Sequence, residues 1–89
     1  MKKKSNYLFF ILEEKNGEYE YQHKIVEELS DGRKTTAERT VNNYAKNFYG
    51  GIPEKEDDGY LFNYGETFVR VNSWQFINER QYDVLKQFL

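Results

Sequence analysis

The fold this sequence predicts is a single α+β domain, a two-layer sandwich in which an antiparallel four-stranded sheet packs against two helices in the order β-β-α-β-β-α. Three observations carry that reading. Two apolar-rich runs, residues 7–12 and 19–25, flank Lys15-Asn16-Gly17-Glu18, and Asn-Gly has the easy access to positive φ that a type I′ hairpin turn requires. Two later stretches, opening at Thr35 and at Asn78, show capping-box spacing ahead of apolar stripes of helical period. Between them, residues 60–62 and 67–71 read as short strands around Asn63-Tyr64-Gly65-Glu66.

The first hairpin leaves two registers open. If Asn16-Gly17 is a two-residue loop, Leu12 faces Tyr21, Phe10 faces His23 and Leu8 faces Ile25. Side chains alternate with period two, so all six then share one side of the ribbon. The other side carries Glu13, Glu20, Gln22 and Lys24 among Phe9, Ile11 and Val26. A three-residue loop with Gly17 as a bulge pairs Ile11 with Tyr21 and Phe9 with His23 instead. The first strand is apolar on both sides, so it does not choose between them.

Further along, Glu27-Glu28-Leu29 is compatible with an extension of the second strand, and Ser30-Asp31-Gly32 supplies a polar turn. In Thr35-Thr36-Ala37-Glu38 the Thr35 hydroxyl is spaced to accept from the third amide and Glu38 to reach back. The helix that follows carries Ala37, Val41, Tyr44, Ala45 and Phe48 as one stripe. Gly50-Gly51 ends it and Pro53 prevents resumption. The charge run 54–59 reads as a solvated acidic loop, so that residues 50–59 separate two ββα halves. The helices of those halves share Glu-Arg near the start and Lys-x-Phe near the end, with a one-residue gap. Residues 73–77 either prolong the last strand or bend it. Asn78 and Gln81 then form a capping box, Ile77 and Tyr82 have the spacing of a hydrophobic staple, and a short helix from Glu79 buries Tyr82, Leu85, Phe88 and Leu89.

Size bounds the rest. A chain of 89 residues buries only roughly 60–65% of the surface it exposes when unfolded, so its eight tyrosines and seven phenylalanines are the natural way to fill a core. The absence of cysteine removes disulfides, thiolate metal sites and cysteine nucleophiles together, and suits a reducing cytoplasm. The basic start and apolar run of residues 1–12 imitate a signal peptide, but only six apolar residues precede Glu13-Glu14 and no small-residue cleavage site follows. Residues 1–6 read as a disordered basic terminus and 7–12 as a strand. No segment approaches the roughly 20 apolar residues of a membrane span. The net charge of −2 arises from 13 basic and 15 acidic residues, a mixture that favours solubility without drawing in nucleic acid.

No motif of catalysis emerges, and the chain is expected to be non-enzymatic and free of cofactors. The single histidine, His23, falls on the inward face, where a core or cross-strand role outweighs that of a general base. The serines lack a histidine partner in any known motif, and adjacent carboxylates such as Glu13-Glu14 point apart in extended chain. Glu54, Glu56, Asp58 and Gly59 match four positions of a calcium loop, yet position twelve is Gly65 where a bidentate Glu belongs. No metal site is expected. Nucleic-acid binding has a parts list in Tyr7, Phe9 and residues 60–64 for stacking, with Lys2, Lys3, Lys4, Lys24, Arg33, Lys34 and Arg70 for phosphates. Protein recognition has a fuller one: Trp74 and Phe76 as anchors within an acidic rim of Glu13, Glu14, Glu18 and Glu20 and of Glu54, Glu56, Asp57 and Asp58. An acidic face can also occupy a nucleic-acid channel, since carboxylates compete for the cations that hold phosphates.

In size, charge, lack of catalytic residues and single compact domain, the chain resembles the small acidic accessory proteins of phages and mobile elements, among them anti-CRISPR proteins. The resemblance implies inhibition of a host nuclease complex by direct binding, and it carries no particular site residue with it. The expectation is a cytoplasmic binding protein that docks on a larger protein or ribonucleoprotein. The alternatives are a single-stranded nucleic-acid binder using an aromatic sheet face, and a homodimer formed through an edge strand or the mixed face of the hairpin.

Overall fold

A computed structural model describes residues 6–89. Its elements are β1 (Asn6–Asn16), β2 (Tyr19–Leu29), α1 (Lys34–Lys46), β3 (Glu54–Lys55), β4 (Gly59–Phe62), a 3₁₀ turn over Asn63–Gly65, β5 (Thr67–Ile77) and α2 (Glu79–Lys86). The strands form one antiparallel sheet in the order β2-β1-β5-β4-β3. The α+β class is as predicted, but the sheet has five strands instead of four. The acidic stretch expected to be a loop folds back as β3, pairing Glu54 with Leu61 and Lys55 with Tyr60, and the Glu56 N–H donates to the Gly59 carbonyl at 2.9 Å. Edge pairing uses backbone groups alone, and charged side chains are at home on an edge. Residues 1–5 lie outside the described residues, Lys2, Lys3 and Lys4 among them. Asn6, expected in the disordered terminus, opens β1.

The hairpin register differs from both predicted ones. Asn16 pairs with Tyr19, so the loop is Gly17-Glu18. Gly17 has φ +63° while Glu18 stays at negative φ, the φ pattern of a type II′ turn with glycine at its first central position. Leu12 therefore faces His23, Phe10 faces Ile25 and Leu8 faces Glu27, a shift of two residues from the first predicted register. Two is a full side-chain period, so the predicted inner face survives the shift. Leu8, Phe10 and Leu12 are fully buried.

Helix α1 roofs this face. Ala37, Val41 and Ala45 are buried with Leu29, Tyr60, Phe62 and Val69. The Tyr44 ring meets Phe10 edge-on at 5.1 Å, and the Tyr60 hydroxyl donates to Asn42 at 2.9 Å. Its ends differ from expectation. Thr35 does not cap it: Arg33 is the N-cap residue and makes no side-chain cap bond. The Asp31 carboxylate instead accepts from the Arg33 N–H at 2.9 Å, and that bond, with one from the Thr36 side chain, holds it below the usual carboxylate range. The helix stops at Lys46, before Phe48 and well short of Gly50-Gly51.

Helix α2 lies on the opposite face, which corrects the two-layer sandwich with both helices on one side. Its Tyr82 ring is 4.5 Å from that of Tyr7, and Val84 and Leu85 line a cleft with Phe9 and Ile77. Because β1 is apolar on both sides, it needs cover on both, the condition of a central strand. The predicted capping box is present: the Gln81 N–H donates to Asn78 Oδ1 at 2.8 Å and the Asn78 N–H to Gln81 Oε1 at 3.0 Å. Tyr82 and Leu85 are half-buried, but Phe88 and Leu89, expected in the core, are exposed beyond the helix end. Residues 73–77 prolong β5, with a register break opposite Ile11 and Leu12. No helix among the described residues is long and apolar enough to cross a membrane.

The molecule is long and narrow, 50 × 26 × 19 Å. At one extremity, the hairpin end, the β1–β2 turn meets the β4–β5 connection, where the Gly17 N–H donates to the Glu66 carbonyl at 3.3 Å.

Candidate docking surface at the hairpin end

The α1-covered face runs past the end of α1 toward the hairpin turn, and a buried carboxylate sits there. The parity that buries Leu8, Phe10 and Leu12 places Glu14 on the same face, 4% exposed. His23 Nε2 lies 2.8 Å from Glu14 Oε1, and an ionised carboxylate there accepts an Nε2–H. Glu14 Oε2 accepts from the Tyr49 hydroxyl. With both oxygens engaged, the carboxylate is satisfied despite burial. The Tyr49 phenol is pushed up to about 12, chiefly by this bond.

Around this node rings pack in a chain from His23 to Phe62, with a separate tyrosine pair on β2. Phe48 packs on His23 at 4.8 Å, Tyr49 meets Phe48 edge-on at 5.0 Å and Phe62 at 5.4 Å, and Tyr19 and Tyr21 on β2 stack at 6.5 Å. Tyr49, half exposed, forms one wall of an open groove of about 630 Å³ between residues 49–54 and 61–65. On its rim Ile52 is 99% exposed and Tyr64 fully exposed. Asn63 and Tyr64 both hold positive φ, 53° and 58°, an uncommon conformation for residues other than glycine. Glu54 is the one charged residue among those lining the groove.

The predicted anchors and acidic residues do not converge here. Trp74 and Phe76 meet edge-to-face at 5.6 Å on the α1-covered face of β5, but opposite Phe10 and Leu8, toward the other extremity. Trp74 is half-buried against the core, and Phe76 is 42% exposed. Glu13 and Asp58 both flank Arg70 on the opposite face, with Glu13 Oε1 at 3.0 Å from Nε and Asp58 Oδ2 at 3.7 Å from Nη1. Glu56 and Asp57 stand at the β3–β4 turn. Glu20 is on edge strand β2, at the far side of the sheet from Glu54.

The residues named for nucleic acid are dispersed as well. Tyr7 is buried against Tyr82 and Phe9 lines the cleft under α2. Arg70 is paired with carboxylates, Lys24 is on β2, and Arg33 and Lys34 open α1 at the extremity away from the hairpin turn. Tyr60, offered for stacking, is buried; of that stretch only Tyr64 presents its whole ring. Among the described residues no group of three His, Cys, Asp or Glu side chains is placed to hold a metal ion.

Sequence reasoning missed Tyr49 and Ile52, and it placed Glu14 in an exposed acidic rim, whereas the structure buries it. Glu14 had a signal, since it continues the even-numbered inner stripe of β1. Tyr49 and Ile52 lie in an irregular segment with no period to place them. The fold and surface thus define a small α+β domain with a five-stranded antiparallel sheet between two helices and an aromatic extremity. No protein-family model, no curated protein and no solved structure matches the chain.

Proposed function

We propose that this chain is a non-enzymatic docking protein that engages a larger protein or ribonucleoprotein through its hairpin end. The observation that carries the reading is the groove walled by Tyr49 with Ile52 and Tyr64 standing fully exposed on its rim. Large side chains in that state are costly to keep in water, and aromatic anchors around a pocket are what interface hot spots are made of. Tyr49 is held in place by a buried carboxylate, so the anchor is set before a partner arrives. Glu18, Glu54 and Glu66 lie around the aromatic patch, which disfavours phosphates and suits a partner with a basic surface. A nuclease complex, the partner class the anti-CRISPR resemblance implies, offers such a surface in its nucleic-acid channel.

The test is quantitative capture from a host lysate treated with nuclease, using the wild type and an Ile52→Ser/Tyr64→Ala double variant. A protein retained by the wild type and lost by the variant, with purified-component affinity reduced about tenfold or more, supports the reading. Cleavage assays with purified CRISPR nuclease complexes then examine the inhibitory role directly. Equal capture by both proteins refutes docking through this end. Salt-sensitive binding of single-stranded oligonucleotides would favour the nucleic-acid alternative instead.

A further inference from the structure

Among the described residues the sheet has one long open edge, β2, with eleven residues paired on one side only. Asn16 and Tyr19 close the hairpin turn, so their backbone groups face each other across it. Alternation then turns the amides and carbonyls of Glu20, Gln22, Lys24, Val26 and Glu28 outward. On the α2 side of the sheet this strand displays Glu20, Gln22 and Lys24, all exposed, and neither Glu20 nor Lys24 has an ion-pair partner among the described residues. On the α1 side it displays Tyr19, Tyr21, His23 and Ile25.

We propose that β2 pairs antiparallel with β2 of a second copy of this chain, about a twofold axis through Gln22, joining two five-stranded sheets into one of ten. The strand is self-complementary in that register. Gln22 meets Gln22, and Glu20 faces Lys24 of the second copy twice over. On the other face Tyr21 meets His23 and Tyr19 meets Ile25, again twice. Because the two strands run antiparallel with matching parity, every pair keeps its face and the outward backbone groups of Glu20, Gln22 and Lys24 find counterparts, while those of Val26 and Glu28 lie beyond the overlap. Neighbouring registers lose these matches. An axis through His23 sets Glu20 against Val26, and one through Lys24 sets Lys24 against itself and Glu20 against Glu28. The interface is isologous and closed, so association stops at two and does not grow into a fibre. It occupies the β2 edge and leaves Ile52 and Tyr64 clear, so this inference stands apart from the docking role.

Sedimentation equilibrium of the full chain decides the matter, with the wild type, Glu20→Lys, Lys24→Glu and the double reversal. These side chains are exposed, and circular dichroism verifies that all four proteins keep the fold. The wild type is expected to dimerise, each single reversal to weaken the dimer by about tenfold or more since it turns two attractive cross-strand pairs repulsive, and the double reversal to return to within about twofold of the wild type, the pairs being restored with opposite polarity. A register that pairs Lys24 with Glu18 or Glu28 is not rescued by that combination. A wild type that stays monomeric up to about 1 mM, single reversals that dimerise unchanged, or a double reversal that stays weak would each overturn the proposal.

Discussion

Replacing Glu14 by glutamine tests whether the carboxylate is what fixes the aromatic end. The group is nearly inaccessible, accepts from Tyr49 through one oxygen and meets His23 at 2.8 Å through the other. Hydrogen bonds to a charged partner contribute roughly 1.5–3 kcal/mol and neutral ones roughly 0.5–1.5. Glutamine keeps the shape and one acceptor but loses the charge from both contacts. Tyr49 is half exposed, so water competes for its bond and the lower part of the range applies. The expected loss is about 1–2 kcal/mol, and for Tyr49→Phe about 1 kcal/mol. For a domain of this size each kcal/mol lowers Tm by roughly 4–8 °C. Because the two substitutions remove one shared contact, the double variant should fall short of the sum by about 1 kcal/mol. Urea unfolding of the four proteins, followed by circular dichroism, gives that coupling directly. Additivity within about 0.3 kcal/mol would mean that Tyr49 is not held by Glu14. A Glu14→Gln variant more stable than the wild type would mean that desolvation of the charge outweighs its two bonds.

Two other perturbations follow from the structure. Gly59, the first residue of β4, is buried against β5, and a Cβ there would lie 2.5 Å from the Val69 carbonyl oxygen and 2.7 Å from the Phe68 ring; Gly59→Ala should lower unfolding free energy by roughly 1–3 kcal/mol, and an unchanged urea midpoint would contradict the packing described. The Tyr44 and Tyr49 phenols are both raised to about 12 from the ordinary 10, first by their bonds to Glu27 and Glu14. A folded value above the unfolded one means that the stabilisation is complete below pH 10 and is lost as pH rises through about 12. Absorbance titration of the phenolate band should show a late fraction that moves toward ordinary tyrosine in Glu14→Gln and Glu27→Gln.

The sequence was informative where one residue's chemistry decides the outcome locally, and less so where geometry between elements decides it. The capping box of Asn78 and Gln81 needed only two side chains at fixed spacing, and it formed; the same spacing at Thr35 and Glu38 did not, because the helix already starts at Lys34 with Arg33 as its N-cap. The inner face of the hairpin was legible because Leu8, Phe10 and Leu12 alternate with residues of the other side, and parity is indifferent to a shift of two. The register was not, since Asn16-Gly17 fits the centre of a turn as well as its start; only the closing pair settles that glycine occupies the first central position. The doubly apolar character of β1 already contained the two-sided cover, but Tyr82 and Leu85 do not say on which face they land, which depends on how one linking residue, Asn78, leaves β5. Strand β3 has no apolar period at all, because a two-residue edge is held by its backbone. At the site, Glu14 needed the true register to become the neighbour of His23, and Tyr49 needed the path of a segment that has no repeat.

The bond from the Gly17 amide to the Glu66 carbonyl ties together two loops that are distant in sequence, and Tyr49 is pinned to a third part of the chain through Glu14. Loops usually lose freedom when they are grasped, and that loss subtracts from affinity. Here much of the ordering is already done by folding. If this extremity docks as proposed, variation among its partners should consequently register in how slowly complexes separate, with little difference in how fast they form.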